Sequence, residues 1–263
     1  MNHSKALSTF IFLALCFYAN SFFAQQENRQ FYQLKTYTFS TDEQESRTDD
    51  FLKNAYLPAL KRQNIKPIGV FKPQSYAPKD SLKRRIVLIP FASLDAFEEL
   101  EGQLQKDKRF QEAGDAYINT PQDRPAYVRM QSILLKAFED MPQLEASPLD
   151  GSREDRIYEL RSYQSASVAD HLNKVEMFNE GGEVALFDRL EFNAVFYASV
   201  LSGPEMPNLM YMVTFKDEAS RNEHWEKFSK DPEWQKLSKE PKYQDNVSHI
   251  DNWFLTPTEY SDY

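Results

Sequence analysis

One stretch, residues 206–236, constrains the fold more than any other part of the chain. It begins with an apolar run of strand length, Asn208–Phe215, that is rich in aromatic and β-branched side chains. A helical pattern follows, with Trp225 and Phe228 on one face. The same order occurs earlier, within Arg85–Glu112, where a strand-like IVLIPF precedes an amphipathic segment. A buried strand that leads into an amphipathic helix is therefore predicted twice.

A second pair of matching segments is separated along the sequence by nearly the same number of residues as the first pair. The segment FYQLKTY at 31–37 matches IYELRSY at 157–163 position by position. Two matches in the same order indicate a duplicated unit, and each copy reads as strand, helix, strand, strand, helix, strand. In the first copy the two helices are predicted over 49–63 and 94–104. That order is typical of a ferredoxin-like unit, which has both helices on one face of an antiparallel sheet. The other face of each sheet needs a cover, and the second copy can supply it.

The second half carries short motifs that resemble one known family. They are YELRSYQ, MFNEGGE, MPNLMYMVTF, HWEKF and DPEW, all within residues 156–258. These motifs are similar to those of the NIPSNAP family, and the first half resembles a diverged copy. The resemblance implies the dimeric α/β-barrel fold. Because the motifs are structural in character, the resemblance predicts the fold more strongly than any reaction.

The predicted architecture is α+β, with two tandem ferredoxin-like (dimeric α/β-barrel) domains whose sheets pack face to face after an N-terminal signal peptide. The expected boundaries are 1–24 for the signal peptide, 28–138 for the first domain, 139–155 for a linker and 156–258 for the NIPSNAP domain. The linker contains prolines, Gly151 and several charges, so it is expected to bury little.

The N-terminal segment has the pattern of a secretory signal. Lys5 precedes an apolar run, Ala6–Phe23, and Ala24 is a plausible residue before the cleavage point. We expect an exported protein, periplasmic or secreted, without stable membrane insertion after cleavage; an uncleaved anchor is the alternative. Cys16 is the only cysteine, so cleavage would remove thiol chemistry and disulfides together.

The charge balance and the missing motifs exclude several classes of function. The 40 acidic and 31 basic residues give a formal net charge of -9 without a basic stripe, so nucleic acid is not an expected partner. The four histidines are scattered, and metal, dinucleotide, nucleoside-triphosphate and serine-hydrolase motifs do not occur. We therefore predict no metal site and no cofactor; fold analogy alone leaves open a haem near His224 or His171.

The two copies differ in their second helix. Arg221 stands where the first copy has Phe97, and His224 stands where it has Leu100. Such polar groups on a face directed at the sheet need protein partners, water or a ligand. One interpretation is a pocket in which His224 acts as a general base and Arg221 holds an anion. The other, which we favour, places both at the helix edge, where Asp217, Glu218 or a neighbouring strand satisfies them.

Two residues of the strand that opens the second copy belong to the same candidate site. Arg161 and Tyr163 share one face of this strand. In one interpretation they point into the barrel toward a ligand; in the favoured one, Arg161 forms an ordinary ion pair with Glu159 at the rim. The candidate ligand-binding residues are Arg161, Tyr163, Arg221, His224 and Trp225, and the catalytic candidates are His224, Arg221 and Tyr163.

The residues support two functions. One is an exported NIPSNAP-domain protein of undefined activity that binds a small molecule or a protein partner, as a pseudo-dimeric monomer or a homodimer. The other is a cofactor-independent enzyme of the oxygenase or isomerase type that uses a pocket in the C-terminal domain. A cavity reached by at least two of the catalytic candidates would favour the enzyme, and a filled core there would favour the binding protein.

Overall fold

A computed structural model of the chain describes residues 29–74 and 82–263. The predicted signal peptide and Cys16 lie outside these residues. Within the two described ranges, no helix is both long and apolar enough to cross a bilayer.

Within residues 29–74 and 82–138, the N-terminal half contains four strands and four α-helices. The strands are β1 (Phe31–Phe39), β2 (Gly69–Pro73), β3 (Lys83–Phe91) and β4 (Arg129–Ala137). The helices are α1 (Asp42–Phe51), which continues through a π-helical segment (Leu52–Tyr56) into α2 (Leu57–Arg62), followed later by α3 (Leu94–Lys106) and α4 (Lys108–Ile118).

The C-terminal half has the same order of elements. Its strands are β5 (Ile157–Gln164), β6 (Ala194–Ser202), β7 (Asn208–Phe215) and β8 (His249–Pro257). Its helices are α5 (Val168–Phe178), α6 (Glu183–Arg189), α7 (Glu218–Lys230) and α8 (Pro232–Leu237), with a short 3₁₀ turn at Pro241–Tyr243.

The eight strands form one closed antiparallel barrel in the order β1-β3-β2-β8-β5-β7-β6-β4. Each half contributes four consecutive strands of this order. The halves join where β2 pairs with β8 and where β4 pairs with β6. The two sheets therefore meet along their edges as well as across their inner faces, and each of these eight strands has a partner on both sides.

The inside of the barrel is a packed apolar core. Strand β5 shows the alternation that builds it, because Tyr158 and Leu160 point inward while Glu159 and Tyr163 point outward toward the helices. The inner cluster draws on all eight strands and also includes Tyr263, which lies after the last strand. Its members are almost completely buried.

Two further cores lie outside the barrel, one for each half. In the N-terminal half, helices α2, α3 and α4 and the π-helical segment pack on the outer face of their sheet. In the C-terminal half, α5, α6 and α7 do the same, and the core is dense in aromatic rings, with Phe187 stacked on Phe228 at a centroid distance of 4.8 Å. Each helix layer covers the face of its sheet that points away from the barrel.

Capping residues fix where the helices begin. The side chains of Ser93, Asp107, Ser167, Asp217 and Asp231 each accept a hydrogen bond from a backbone amide in the first turn of the helix that follows. Helix α5 ends before Gly181 and Gly182. Gly182 has a positive φ of 84°, and a side chain on Gly181 would collide with the Met177 carbonyl.

The structure differs from the sequence-based expectations at three places. The first helix was expected over 49–63 but begins at Asp42, because Thr41 caps it there. Helix α4 was not predicted. The 139–155 linker was expected to bury little, yet Met141 is buried and Leu144 packs against the barrel core.

Candidate functional site

The carboxylate of Glu159 is the centre of a buried polar network. Glu159 lies on β5, faces the helices and is completely buried. It accepts hydrogen bonds from four side chains: from Arg161 Nη1 at 2.7 Å, from Arg221 Nε and Nη2 at 2.8 and 3.0 Å, from Trp225 Nε1 at 2.8 Å and from Asn252 Nδ2 at 2.9 Å. All five N–H groups point at one carboxylate, so its lone pairs are well satisfied.

Helix α7 supplies two of the four donor side chains, because the spacing of these two residues along the helix directs both at the sheet. Arg221 and Trp225 are four residues apart, so both project from the same side of α7. The Arg221 guanidinium also lies 5.0 Å from the ring centre of Phe254. The partner of Arg221 is thus Glu159 on the neighbouring strand β5, which is one of the alternatives that the sequence left open. The Arg221 guanidinium is already hydrogen-bonded to that carboxylate.

The surroundings keep Glu159 ionised. Burial by itself raises the pKa of a carboxyl group, but the hydrogen bonds from Arg221 and Arg161 outweigh it, and the net pKa of Glu159 lies below its usual value. A carboxylate with a lowered pKa is a poor proton donor or acceptor near neutral pH. The network therefore has the chemistry of a structural ion cluster.

Tyr163 belongs to the same cluster. Its hydroxyl lies 2.8 Å from the Tyr211 hydroxyl and accepts a hydrogen bond from Arg161 Nε at 3.2 Å. The ring is buried among aromatic neighbours, including Phe178. The sequence left open whether Arg161 and Tyr163 point into the barrel or whether Arg161 pairs with Glu159 at the rim. The ion pair between Arg161 and Glu159 forms, at 2.7 Å, but it lies in the layer between sheet and helices, as does Tyr163.

His224 stands apart from this network. Its Nδ1 donates to the Ser220 backbone carbonyl at 2.6 Å, and its ring packs at 5.9 and 5.5 Å from Phe192 and Phe215. Across residues 29–74 and 82–263, no group of three or more His, Asp or Glu side chains could hold a metal ion. None of the three catalytic candidates lines either of the two cavities described below.

His171 lies in the first turn of α5, where the sequence predicts a solvent-exposed side chain. The residue is half-buried, and within the described residues its Nδ1 has no hydrogen-bond partner. Burial lowers its pKa.

A cavity of about 610 Å³ lies elsewhere in the C-terminal half, between the linker, α6 and the start of β6. The linker forms one wall because its backbone follows β6: the amides of Phe138 and Glu145 donate to the carbonyls of Tyr197 and Val195 at 2.9 and 3.0 Å. Met141 and Val184 give the cavity an apolar wall. A volume of this size is in the range of small-molecule sites.

Tyr197 lines this cavity from β6. Its side chain is 1% exposed, and among the described residues its hydroxyl has no hydrogen-bond partner. Burial, with Glu183 and Asp188 nearby, raises the pKa of Tyr197 well above its usual value, so the group is a neutral hydroxyl. A buried hydroxyl without a partner costs free energy.

The sequence reasoning missed this cavity. It treated 139–155 as an ordinary linker, although Met141 and Leu144 were apolar signals within it. It also treated Glu159 only as a partner for Arg161. The signal that could have identified Glu159 was an acidic residue at the position where the first copy has the uncharged Gln33, opposite a helix in which Arg221 replaces Phe97.

Comparison with known structures gives the class of fold. A candidate monooxygenase from Fusobacterium nucleatum is 9% identical, with a TM-score of 0.56 over 88% of this chain and 94% of its own. A candidate monooxygenase from Lactobacillus acidophilus is 10% identical, with a TM-score of 0.57 over 87% of this chain and 94% of its own. At such identities the likeness concerns the fold alone. The protein is a mixed α/β protein with a dimeric-α/β-barrel type of architecture.

The sequence of the second half identifies its domain. The NIPSNAP family model matches residues 158–262, so this half is a NIPSNAP domain. A NIPSNAP family protein from Agrobacterium tumefaciens is 20% identical, with a TM-score of 0.37 over 44% of this chain and 97% of its own. The search of curated proteins gave no significant match.

Proposed function

We propose that this chain is an exported NIPSNAP-type binding protein that takes a small molecule into the cavity between the linker, α6 and β6. The observation that carries the proposal is the cavity of about 610 Å³ with the apolar wall formed by Met141 and Val184. A largely preformed cavity with apolar sides and a few polar groups is the usual form of a ligand site.

The proposal includes the domain organisation expected from the sequence. A signal peptide at 1–24 is followed by tandem NIPSNAP-like units at 28–138 and 156–258. The closed barrel supports a monomer in which one chain supplies both halves, since β2–β8 and β4–β6 pairing completes the sheet internally. The intact mass of the mature protein tests the cleavage, and native mass spectrometry tests the monomer.

The enzyme alternative has less support. Arg221 is bonded to Glu159, Tyr163 is bonded to Tyr211 and Arg161, and His224 packs against two phenylalanine rings. A polar set already satisfied by protein groups has little left to offer a substrate. The two candidate monooxygenases share the fold at 9% and 10% identity, and a shared fold does not carry an activity with it.

A cavity-blocking variant tests the binding function. Ala185 lines the cavity from α6, and Ala185→Trp should fill part of it. We expect native mass spectrometry of protein from its own host to show a small molecule retained by the wild type and lost from Ala185→Trp. Retention of the same molecule by the variant would refute the proposal, and so would a wild type that retains and binds nothing in a small-molecule thermal-shift screen.

Two controls make this result specific. Ala219→Trp adds the same side chain at another exposed helical position, on α7, and should leave the retained molecule in place. Ala185 also borders a second cavity of about 430 Å³ on the other side of α6, which Lys236 lines as well. Lys236→Trp should not displace the molecule; if it does, the smaller cavity is the site.

A further inference from the structure

The turn that leads from a short helix into the second strand is built in the same way in the two halves. In the N-terminal half, the amide of Asn64 donates to the Lys61 carbonyl at 3.1 Å, and Asn64 has a positive φ of 60°. In the C-terminal half, the amide of Glu191 donates to the Asp188 carbonyl at 2.9 Å, and Glu191 has a positive φ of 57°. Asp188 on α6 therefore occupies the position of Lys61 on α2.

The segment after the last strand of each half is anchored at matching points. The amide of Asp262 donates to the Ile68 carbonyl at 3.0 Å, and the amide of Glu145 donates to the Val195 carbonyl at 3.0 Å. Ile68 and Val195 each follow the positive-φ residue of their turn by the same number of residues. Glu145 in the linker therefore occupies the position of Asp262 in the tail, residues 258–263.

An ion pair holds the tail against its helix in the N-terminal half. Lys61 Nζ lies 2.5 Å from Asp262 Oδ1, and the other carboxylate oxygen of Asp262 accepts from the amide of Ile68 at 2.8 Å. The two corresponding residues of the C-terminal half, Asp188 and Glu145, are both acidic. Both line the cavity between the linker, α6 and β6, and no Lys, Arg or His is among the described residues that line it.

The charges at these two positions oppose closure of the linker onto α6. Two carboxylates repel each other, whereas a lysine and a carboxylate attract, and this difference acts on the segment that forms one wall of the cavity. The linker is also longer between its anchors than the tail. Six residues lie between Phe138 and Glu145, whereas three lie between Thr258 and Asp262, whose amides form the corresponding bonds.

We propose that linker residues 139–145 form a strap over the cavity, which the like charges of Glu145 and Asp188 keep open. An opposite charge at either position, or salt that screens the repulsion, draws the strap toward α6, as the ion pair does for the tail. Closure narrows the entrance of the cavity. Control of ligand entry by the strap rests on the proposed function, whose regulation it specifies; the strap itself does not.

A charge-reversal cycle tests the strap. Asp188→Lys and Glu145→Lys each create one pair of opposite charges, and the double variant restores like charges. Amide hydrogen exchange of the full mature protein gives the protection factor at position 145, which reports opening of the bond to Val195. Each single variant should raise this factor about two- to fivefold, the range of one exposed ion pair, and the double variant should return it to the wild-type value. Additive increases, or unchanged single variants, overturn the proposal.

Salt separates the pair from a general effect of charge. Raising the salt from about 10 mM to about 500 mM shortens the Debye length from about 30 Å to about 4 Å, so protection at position 145 should rise in the wild type and fall in Asp188→Lys. Glu98→Lys, at an exposed position on α3, changes the net charge equally and should behave as the wild type does. A salt effect of the same sign in the wild type and Asp188→Lys would refute the pair.

The N-terminal half allows the reciprocal change. Lys61→Asp places like charges there and removes the ion pair with Asp262. Protection of the amide at position 262 should fall about two- to fivefold, while protection at position 145 stays unchanged. Unchanged protection at position 262 would show that the ion pair does not hold the tail, and the proposal would lose its basis.

The exchange measurements need no ligand, so the strap and the binding function fail separately. A failed cycle removes the strap and leaves the binding function to the Ala185→Trp test. If the cycle succeeds, Asp188→Lys should retain less of the small molecule and the double variant should recover it; unchanged retention in Asp188→Lys would show that the strap does not control entry. A wild type that binds nothing removes the binding function and leaves the strap.

Discussion

Replacement of Glu159 by Gln should destabilise the protein strongly. The substitution keeps the shape but removes the charge, and it turns one acceptor oxygen into a donor that faces other N–H groups. Arg161 and Arg221, whose side chains are only 15% and 20% exposed, would lose their counter-ion. Removal of one partner from a buried ion pair lowers the free energy of unfolding by about 3–5 kcal/mol. The residual exposure of both arginines places the expected loss near the lower end, about 3 kcal/mol.

The loss can be measured by thermal and urea unfolding followed by circular dichroism. For a chain of this size, a loss of about 3 kcal/mol corresponds to a decrease of roughly 6–12 °C in melting temperature. The matched control is Glu226→Gln, which removes an exposed carboxylate paired with Lys230 on α7 and should change stability by about 0.5 kcal/mol or less. A Glu159→Gln variant that melts within about 2 °C of the wild type would refute the account of the network.

A second substitution should recover part of this loss. The N-terminal half has Gln33 and Phe97 at the positions of Glu159 and Arg221. The double variant Glu159→Gln with Arg221→Phe therefore recreates a pair that the chain already uses, and it no longer buries an unpaired guanidinium at 221. We expect it to be more stable than Glu159→Gln alone, and an additive loss would show that the two side chains are not coupled.

The pH dependence of the stability of Glu159→Gln gives an independent check of the role of the Glu159 charge. Because the pKa of Glu159 is lower in the folded protein than in the unfolded chain, the carboxylate stabilises the fold above the unfolded value of about 4.3, and this contribution is lost as pH falls through the folded value. The stability difference between wild type and Glu159→Gln should be constant between about pH 5 and pH 8 and shrink below about pH 4. A difference that grows in acid would have the wrong sign.

Three further substitutions test the burial arguments for single side chains. Tyr158→Phe removes a hydroxyl that is buried in the barrel without a partner among the described residues, so it should raise the free energy of unfolding by up to about 1 kcal/mol. Tyr163→Phe removes a hydrogen-bonded hydroxyl and should lower the free energy of unfolding by about 1 kcal/mol. Urea unfolding of both variants measures the two changes, and the reverse order of stability would contradict the burial argument. His224→Leu should stabilise α7 slightly, by about 0.5 kcal/mol through helix propensity, and should leave the retained small molecule in place. Loss of that molecule without unfolding would instead restore His224 as a site residue.

Most of the strand pattern was predictable because periodicity and repetition agree. Asn208–Phe215 is a continuous apolar run and forms β7 with the predicted ends. The first half was harder, since α1 is polar and its start depends on a single capping residue, Thr41. Helix α4 follows α3 after one intervening residue, Asp107, which caps α4, and a pattern based on hydrophobic periodicity reads such a pair as one element.

The site was less predictable because its parts come from distant segments. Arg221 was recognised as unusual from the comparison of the two copies, but its partner Glu159 is on another strand, and only the register of β5 under α7 brings them together. The cavity between the linker, α6 and β6 requires the backbone amide of Glu145 to donate to the carbonyl of Val195 on β6. Nothing local in the sequence of the linker specifies that contact.

Closure of the barrel couples the separation of the two halves to the loss of backbone hydrogen bonds between strands. The seams between β2 and β8 and between β4 and β6 join segments that are far apart in sequence, so neither half can detach without stripping backbone hydrogen bonds from the other. A proteolytic nick near Gly151, where the backbone is exposed, should leave two fragments that migrate as one particle under native conditions. Expressed singly, each half would present two bare sheet margins and would be prone to aggregate.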